Sequence, residues 1–315
     1  MRLTPTEIKD LSRLSGFRST CTILGDWMLV TLLLAFNLRY FHPFTILISM
    51  LLMARTQFAF LVLLHDAAHF RLYSSRRLND IIGQLLIAPI FLSLPAYRNL
   101  HLKHHRDPLV PEDPDLALTG GYPISKKSFR RKLLRDLLGI SFIKVYFYFL
   151  GSTRFSNRRK NQRQKKAQAT SKNSSEKKIK QGKLILGGIL FNLCLSYACW
   201  SLGRVSVYFV IWLMPQMSIL QVLLRIRGIT EHAGYQPNSD QRLNSRTVVN
   251  PVEAFFLAPH NVNYHIEHHL YVSIPFYNLP KAHRILLQRD ALPLDNVYTS
   301  YRRVLADLIR DPNPL

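Results

Sequence analysis

Nine of the twelve histidines in this 315-residue chain fall into four short constellations. They are His65 and His69 in HDAAH, His101, His104 and His105 in HLKHH, His232 in TEHAG, and His265, His268 and His269 in HIEHH. Histidine is the commonest metal ligand among side chains. Spacings of three and four residues put side chains on one face of a helix, so each triplet can aim three imidazoles at one point and the pair can aim two. Nine neutral nitrogen donors exceed what one four-coordinate zinc takes. They suit two first-row metals of four to six coordination, and iron, zinc, copper and nickel all accept imidazole. His42 and His283 stand outside the boxes and read as hydrogen-bonded structural residues.

The elements that must carry these side chains follow from segregation of the sequence. Its mean hydropathy is near zero, but the average hides apolar spans separated by basic segments. A membrane-crossing helix needs about 20 mostly apolar residues, and four stretches qualify: 23–40, 44–64, 184–200 and 205–224. A fifth, 81–96, is short and holds Pro89 and Pro95, so it reads as a re-entrant or interfacial segment. The N-terminus does not read as a cleaved signal: charges run through Arg18 and no small-residue cleavage pattern follows the apolar stretch. Thr4-Pro5-Thr6-Glu7 has the form of a capping box with proline in the first turn. Ile8, Leu11 and Leu14 then make an apolar stripe, which predicts an amphipathic helix on the membrane surface.

Net charge is +23. Such basicity would suggest nucleic acid, but its placement argues against that partner. Segment 151–183 carries twelve Lys and Arg against one acid, Glu176, directly before an apolar span. Positive residues near span ends mark the cytoplasmic side, and such clusters attract anionic lipid headgroups. The connections between spans one and two and between three and four carry about one arginine each, Arg39 and Arg204. Both termini and the middle loop are therefore assigned to the cytoplasm. Three cysteines make no disulfide framework.

The reading is one all-α integral-membrane domain over 1–315. Two helical hairpins, 23–64 and 184–224, carry cytoplasmic segments 65–183 and 225–315, which form a helical cap holding a di-metal histidine site. The first histidine pair follows span two at once, and His232 lies eight residues beyond span four. All nine candidates then lie on one side, where they can share a site. Arg55 sits mid-way along the second apolar stretch, where a charge is costly and needs a polar partner; Asp26 is the candidate.

With these boxes placed, the chain resembles the membrane fatty acid desaturase superfamily, which also holds related hydroxylases and carotenoid ketolases. The matching elements are HDAAH at 65–69, HLKHH at 101–105, NVNYHIEHHL at 261–270, the lone His232 and IPFYNLP at 274–280. The resemblance covers about residues 40–285. It implies four spans, a cytoplasmic di-iron site with all nine histidines as ligands, and an adjoining tunnel for an acyl chain. In one branch an asparagine four residues before the lone histidine holds a metal-bound water; here that position is Gly228, leaving Asn261 or Asn263 as candidates for the role. The third box opens with His265 rather than the glutamine of front-end desaturases, and no fused cytochrome b5 fits, so electrons must come from a separate donor of ferredoxin, rubredoxin or cytochrome b5 type.

Carboxylates can orient ligand rings from behind. Asp66, Asp113, Asp115, Glu231 and Glu267 are candidates, with Glu231 and Glu267 foremost because each adjoins a ligand histidine. Asp113 and Asp115 in PEDPD also suit a proline-punctuated turn. His260 is open between supporting the ligands and bonding backbone. The leading function is an oxygen-dependent desaturase: two electrons and one O2 introduce a double bond into a lipid acyl chain. The nearest competitor keeps the site and inserts oxygen, as a lipid or carotenoid hydroxylase or ketolase. A zinc hydrolase is overfilled by nine histidines. A transporter would place its ligands near the bilayer midplane, and a carboxylate-bridged ferritin-like centre needs Glu-x-x-His motifs that the chain lacks.

Overall fold

The computed structural model describes residues 2–144, 171–235 and 243–310, with 171–185 described by backbone alone. The first part of the basic run at 151–183, up to residue 170, lies outside the described residues. What is described is mostly helix, with one short parallel strand pair, β1 (Thr247–Val248) beside β2 (Val297–Tyr298).

Helix α1 (Pro5–Leu11) has the anticipated capping box, Thr4 and Glu7 bonding reciprocally. Its apolar stripe differs from the surface-lying expectation. Leu11 is buried in a cluster with Ile266, Leu279 and Leu286, and Glu7 is paired with Arg289 at 2.6 Å. The N-terminus thus packs behind the third histidine box.

Three helices are long and apolar enough to cross a membrane: α2 (Gly16–Arg39), α3 (Pro43–Ala68) and the later Tyr208–His232. The count rises to four if α4 (Arg76–Ile87), with its short extension to Ile90, and α5 (Leu94–Arg106), which meet at 103°, form one broken span. That bend covers the stretch read as re-entrant. Among the described residues of α7 (Ser171–Ser201), 186–201 form the apolar part, shorter than the other candidates. Between them lies α6 (Lys126–Leu137).

Two spans run past their apolar stretches, and this changes where the histidines sit. Helix α3 continues to Ala68, so His65 lies inside its last turn instead of after its end. Its terminal carbonyls need donors, and Arg98 supplies them: its Nε and Nη2 donate to Ala68 and Ala67, each at 3.0 Å. Helix α8 (Tyr208–His232) likewise carries His232 in its own final turn, not eight residues beyond it. It starts as a π-turn over Tyr208–Leu213 and breaks at Ser218. Pro215 explains the irregularity, since it has no N–H and clashes with the preceding turn. Gln57 of α3 donates to the Trp212 carbonyl at 2.8 Å and satisfies backbone there.

Packing ties these elements together. Trp27 of α2 lies 4.8 Å from Phe60 of α3, and Phe60, Ile211 and Trp212 belong to one buried cluster. The intramembrane charge finds its anticipated partner: Arg55 Nη1 is 3.3 Å from Asp26 Oδ1. The other Asp26 oxygen is 2.7 Å from His260 Nε2, so one carboxylate joins α2, α3 and the loop before the third box. His260 and Asn261 both adopt left-handed backbone there, unusual for residues with a Cβ. On the other side, Asp136 of α6 and Arg225 of α8 form a doubly bonded buried pair.

Candidate metal centre

Four elements deliver the nine histidines. His65 and His69 come from the end of α3, His101, His104 and His105 from the last two turns of α5, and His232 from the end of α8. His265, His268 and His269 lie on α10 (His265–Leu270), which follows α9 (Pro251–Leu257). They converge in two groups. One is His65, His69, His101, His105 and His268, whose candidate ligand atoms lie within 4.8 Å of one another. The other joins His104, His232 and His269 within the same limit, with His265 Nε2 2.7 Å from His232 Nε2 and 3.1 Å from His269 Nε2. Each H-x2-H-H triplet is therefore split between the groups, because its members three and four residues apart diverge in angle around the helix.

The nitrogens that face inward are set by what the other nitrogen bonds. His232 Nδ1 lies 3.1 Å from the Asn244 carbonyl, which only accepts; Nδ1 must carry the proton, leaving a lone pair on Nε2. His104 Nδ1 faces both Asp113 oxygens at 3.1 and 3.0 Å, and His65 Nδ1 faces Asp66 at 3.3 Å. The inward Nε2 atoms of His65 and His104, one in each group, are buried with no hydrogen-bond partner. A buried polar atom left unmade costs about 1–3 kcal/mol, and a cation is the partner a lone pair wants.

Spacing gives a second test of fit. With metal–nitrogen bonds of about 2.1 Å, neighbouring donors at right angles sit about 3.0 Å apart. The Nε2 pairs His69–His101 (2.8 Å), His105–His268 (3.0 Å), His232–His265 and His265–His269 match that edge. Electrostatics agree. Burial first, and neighbouring imidazoles second, hold His265, His268 and His269 well below the ordinary histidine range. Burial, then Arg71 and Arg98, bring His69 to about 4. These rings are neutral at pH 7, the form that binds metal. The residues present fit two first-row metal ions.

The supporting residues are distributed differently from sequence adjacency. Asp113, which the sequence also allowed as a turn residue, does both jobs: besides His104 it accepts from Leu109 and Asp115 backbone N–H at 2.8 and 2.9 Å. Burial alone would raise its carboxyl, but the His104 hydrogen bond and the backbone donors outweigh that and lower it. Glu231 lies beside the four-histidine group, 3.5 Å from His265 Nε2, with Arg227 on its other oxygen at 2.7 Å. Glu267 points away: its oxygens bond Thr247 Oγ1 and His283 Nδ1, each at 2.6 Å. Successive helical residues diverge by about 100°, so a neighbour of a ligand need not face the ligand's partner. His260 bonds Asp26, Asn261 donates to the Phe276 carbonyl and Asn263 to the Val248 carbonyl. At Gly228 a Cβ would come 2.4 Å from Leu118 Cδ2, so this position is packed shut. The Asn244 carbonyl and the Arg98 cap carried no sequence signal, whereas Arg227, four residues before Glu231, was a readable helical ion pair.

The sequence profile of the family described as fatty acid desaturase matches residues 41–302, which span all nine histidines. The chain belongs to this family. The desaturase-family protein is also 28% identical over 251 residues to dihydrorhizobitoxine desaturase of Bradyrhizobium elkanii, a match that covers 76% of this chain and 67% of that one. Membership makes it a membrane oxidoreductase of desaturase type with a metal-binding histidine cluster.

Proposed function

We propose that the protein is an oxygen-dependent di-iron desaturase that introduces a double bond into a lipid acyl chain. The observation that carries the reading is the convergence of nine imidazoles into a five-membered and a four-membered group, each with a buried, partnerless Nε2. Two irons held there would supply, with O2, the oxidising power to take hydrogen from an unactivated methylene, which no side chain can do. The reaction balances when the substrate gives up two hydrogens, a separate donor gives two electrons with two protons, and O2 leaves as two waters. The relative from B. elkanii is by name a desaturase, which favours a double bond over inserted oxygen.

The chain's own contribution is positional. The Asn244 carbonyl and the Asp113 and Asp66 carboxylates hold protons on the outer nitrogens of three rings and so keep the inner nitrogens free. Four spans in two hairpins, one domain over 1–315, place this centre and both termini on the cytoplasmic side, in line with the basic run at 151–183. There a separate electron donor can reach it. Reporter fusions after Arg71 and Tyr235 read cytoplasmic and one beside His42 reads external if this arrangement holds.

Lipid profiling of cells with and without the gene tests the activity, with His232→Ala as the metal-site control. A new unsaturated chain, absent in the variant, is the expected result. A hydroxylated lipid or an altered carotenoid would instead assign oxygen insertion, and unchanged lipids would refute both. Purified protein reconstituted with iron should hold about two ions per chain.

A further inference from the structure

The two histidine groups are unequal, five against four, and the smaller one has a carboxylate at its edge. Glu231 Oε2 lies 3.5 Å from His265 Nε2, and Glu231, His232 and His265 place ligand atoms within 4.8 Å of one another. The geometry assigns to Glu231 the role of a metal ligand: its Oε2 is the fifth donor of the four-histidine group, making the two sites five-coordinate alike. This inference rests on the di-iron reading above.

Three observations support it. The first is orientation. Arg227 Nε engages only Oε1, at 2.7 Å, and so fixes the carboxylate with Oε2 turned toward His265. A carboxylate that served Arg227 alone has no need to present its second oxygen to an imidazole nitrogen facing a metal position. The second is spacing. The 3.5 Å from Oε2 to His265 Nε2 lies between the adjacent-donor edge of about 3.0 Å and the opposite-donor span of about 4.2 Å, both worked from bonds of about 2.1 Å. The third is charge. Nine neutral imidazoles leave two divalent ions uncompensated in a buried site, and Glu231 is itself buried. Buried charge is tolerated when it is paired, and a carboxylate between Arg227 and a metal is paired on both oxygens. The other nearby carboxylates face outer nitrogens or other partners: Asp113 and, at 3.5 Å, Asp115 lie against Nδ1 of His104, Asp66 lies against Nδ1 of His65, and Glu267 faces His283.

An anionic oxygen on one site alone makes the two irons electronically unlike. That gives the inference a readout independent of turnover. Mössbauer spectra of protein loaded with iron-57 are compared for wild type, Glu231→Gln and Glu231→Asp, and metal retention against a chelator is measured in parallel. In wild type the two sites are expected to give distinct signals. In Glu231→Gln one signal shifts while the other stays, and one of the two irons is lost about 1,000-fold more readily, beyond the range of about 10- to 100-fold typical of residues that only support a ligand. Glu231→Asp keeps the charge and restores part of the retention, which separates ligation from misfolding. Two irons retained with both signals unchanged in Glu231→Gln would overturn the assignment and leave the di-iron reading standing. Wild-type protein that binds no iron would overturn the di-iron reading and the assignment together.

Discussion

Asp113 offers the most direct test of how the protein sets its histidines. Replacing it by asparagine keeps the shape but exchanges one acceptor oxygen for a donor. The carboxylate now accepts from three donors, the His104 Nδ1–H shared between its two oxygens and one amide each from Leu109 and Asp115. An amide cannot take them all, so one backbone N–H faces an NH2 group in a site where Asp113 is only 4% exposed. Leaving that donor unmade costs about 1–3 kcal/mol of stability. The second effect falls on metal. His104 loses the anion that holds its proton on Nδ1, and removal of such a partner lowers affinity by about 10- to 100-fold, or about 1.4–2.8 kcal/mol. Because His104 belongs to the four-histidine group, only one of two irons should loosen. Iron release into excess chelator, followed optically, should turn biphasic in Asp113→Asn, with one phase at the wild-type rate. Asp115→Asn is the control, since that carboxylate is half exposed and 3.5 Å from the ring. Wild-type release from Asp113→Asn would refute the orienting role.

Other outcomes follow from the same contacts. Asp136→Ala strands the buried Arg225 and should destabilise the protein by about 3–5 kcal/mol, seen as a lower unfolding temperature in detergent that Arg225→Leu partly recovers. His283 sits outside the boxes yet is buried against Glu267, so His283→Ala should cost about 1–3 kcal/mol in thermal unfolding while His283→Gln costs less. Iron uptake at pH 6.5 should release few protons from His69, His265, His268 and His269. Four ordinary imidazoles would be half protonated there and release about two, whereas rings held well below that pH have none to give, as a weakly buffered titration can count.

Ligand types and spacing were legible in the sequence because a metal site needs many copies of one rare side chain at helical intervals. Three of the apolar spans, 23–40, 44–64 and 205–224, were equally plain, and so was the Asp26–Arg55 pair, since a charge in a span demands a partner. Helix ends were not legible. Hydropathy stops at Leu64 and Leu224, but the helices run to Ala68 and His232 because Arg98 and local backbone contacts supply the terminal bonds. The division of each triplet follows from the angle between members three and four residues apart, but the rings that each member joins escape a linear reading, for they depend on which neighbouring helix it meets. The same reason turned Glu267 toward His283, gave Asp113 its double role and drew the α1 stripe onto Ile266 and Leu279 instead of lipid.

The three-way grip of Asp26 has a mechanical corollary. It fastens two apolar helices to the strand of chain that leads, five residues after His260, into His265. Helices answer a thicker or thinner bilayer by changing tilt, at fractions of a kcal/mol per ångström of mismatch. A tilt of α2 against α3 would strain the Asp26–His260 bond, which stands at the left-handed link before the ring that joins His232 to His269. The Asp26 carboxylate is thus the point at which two apolar helices and the chain leading into the four-histidine group share one anchor.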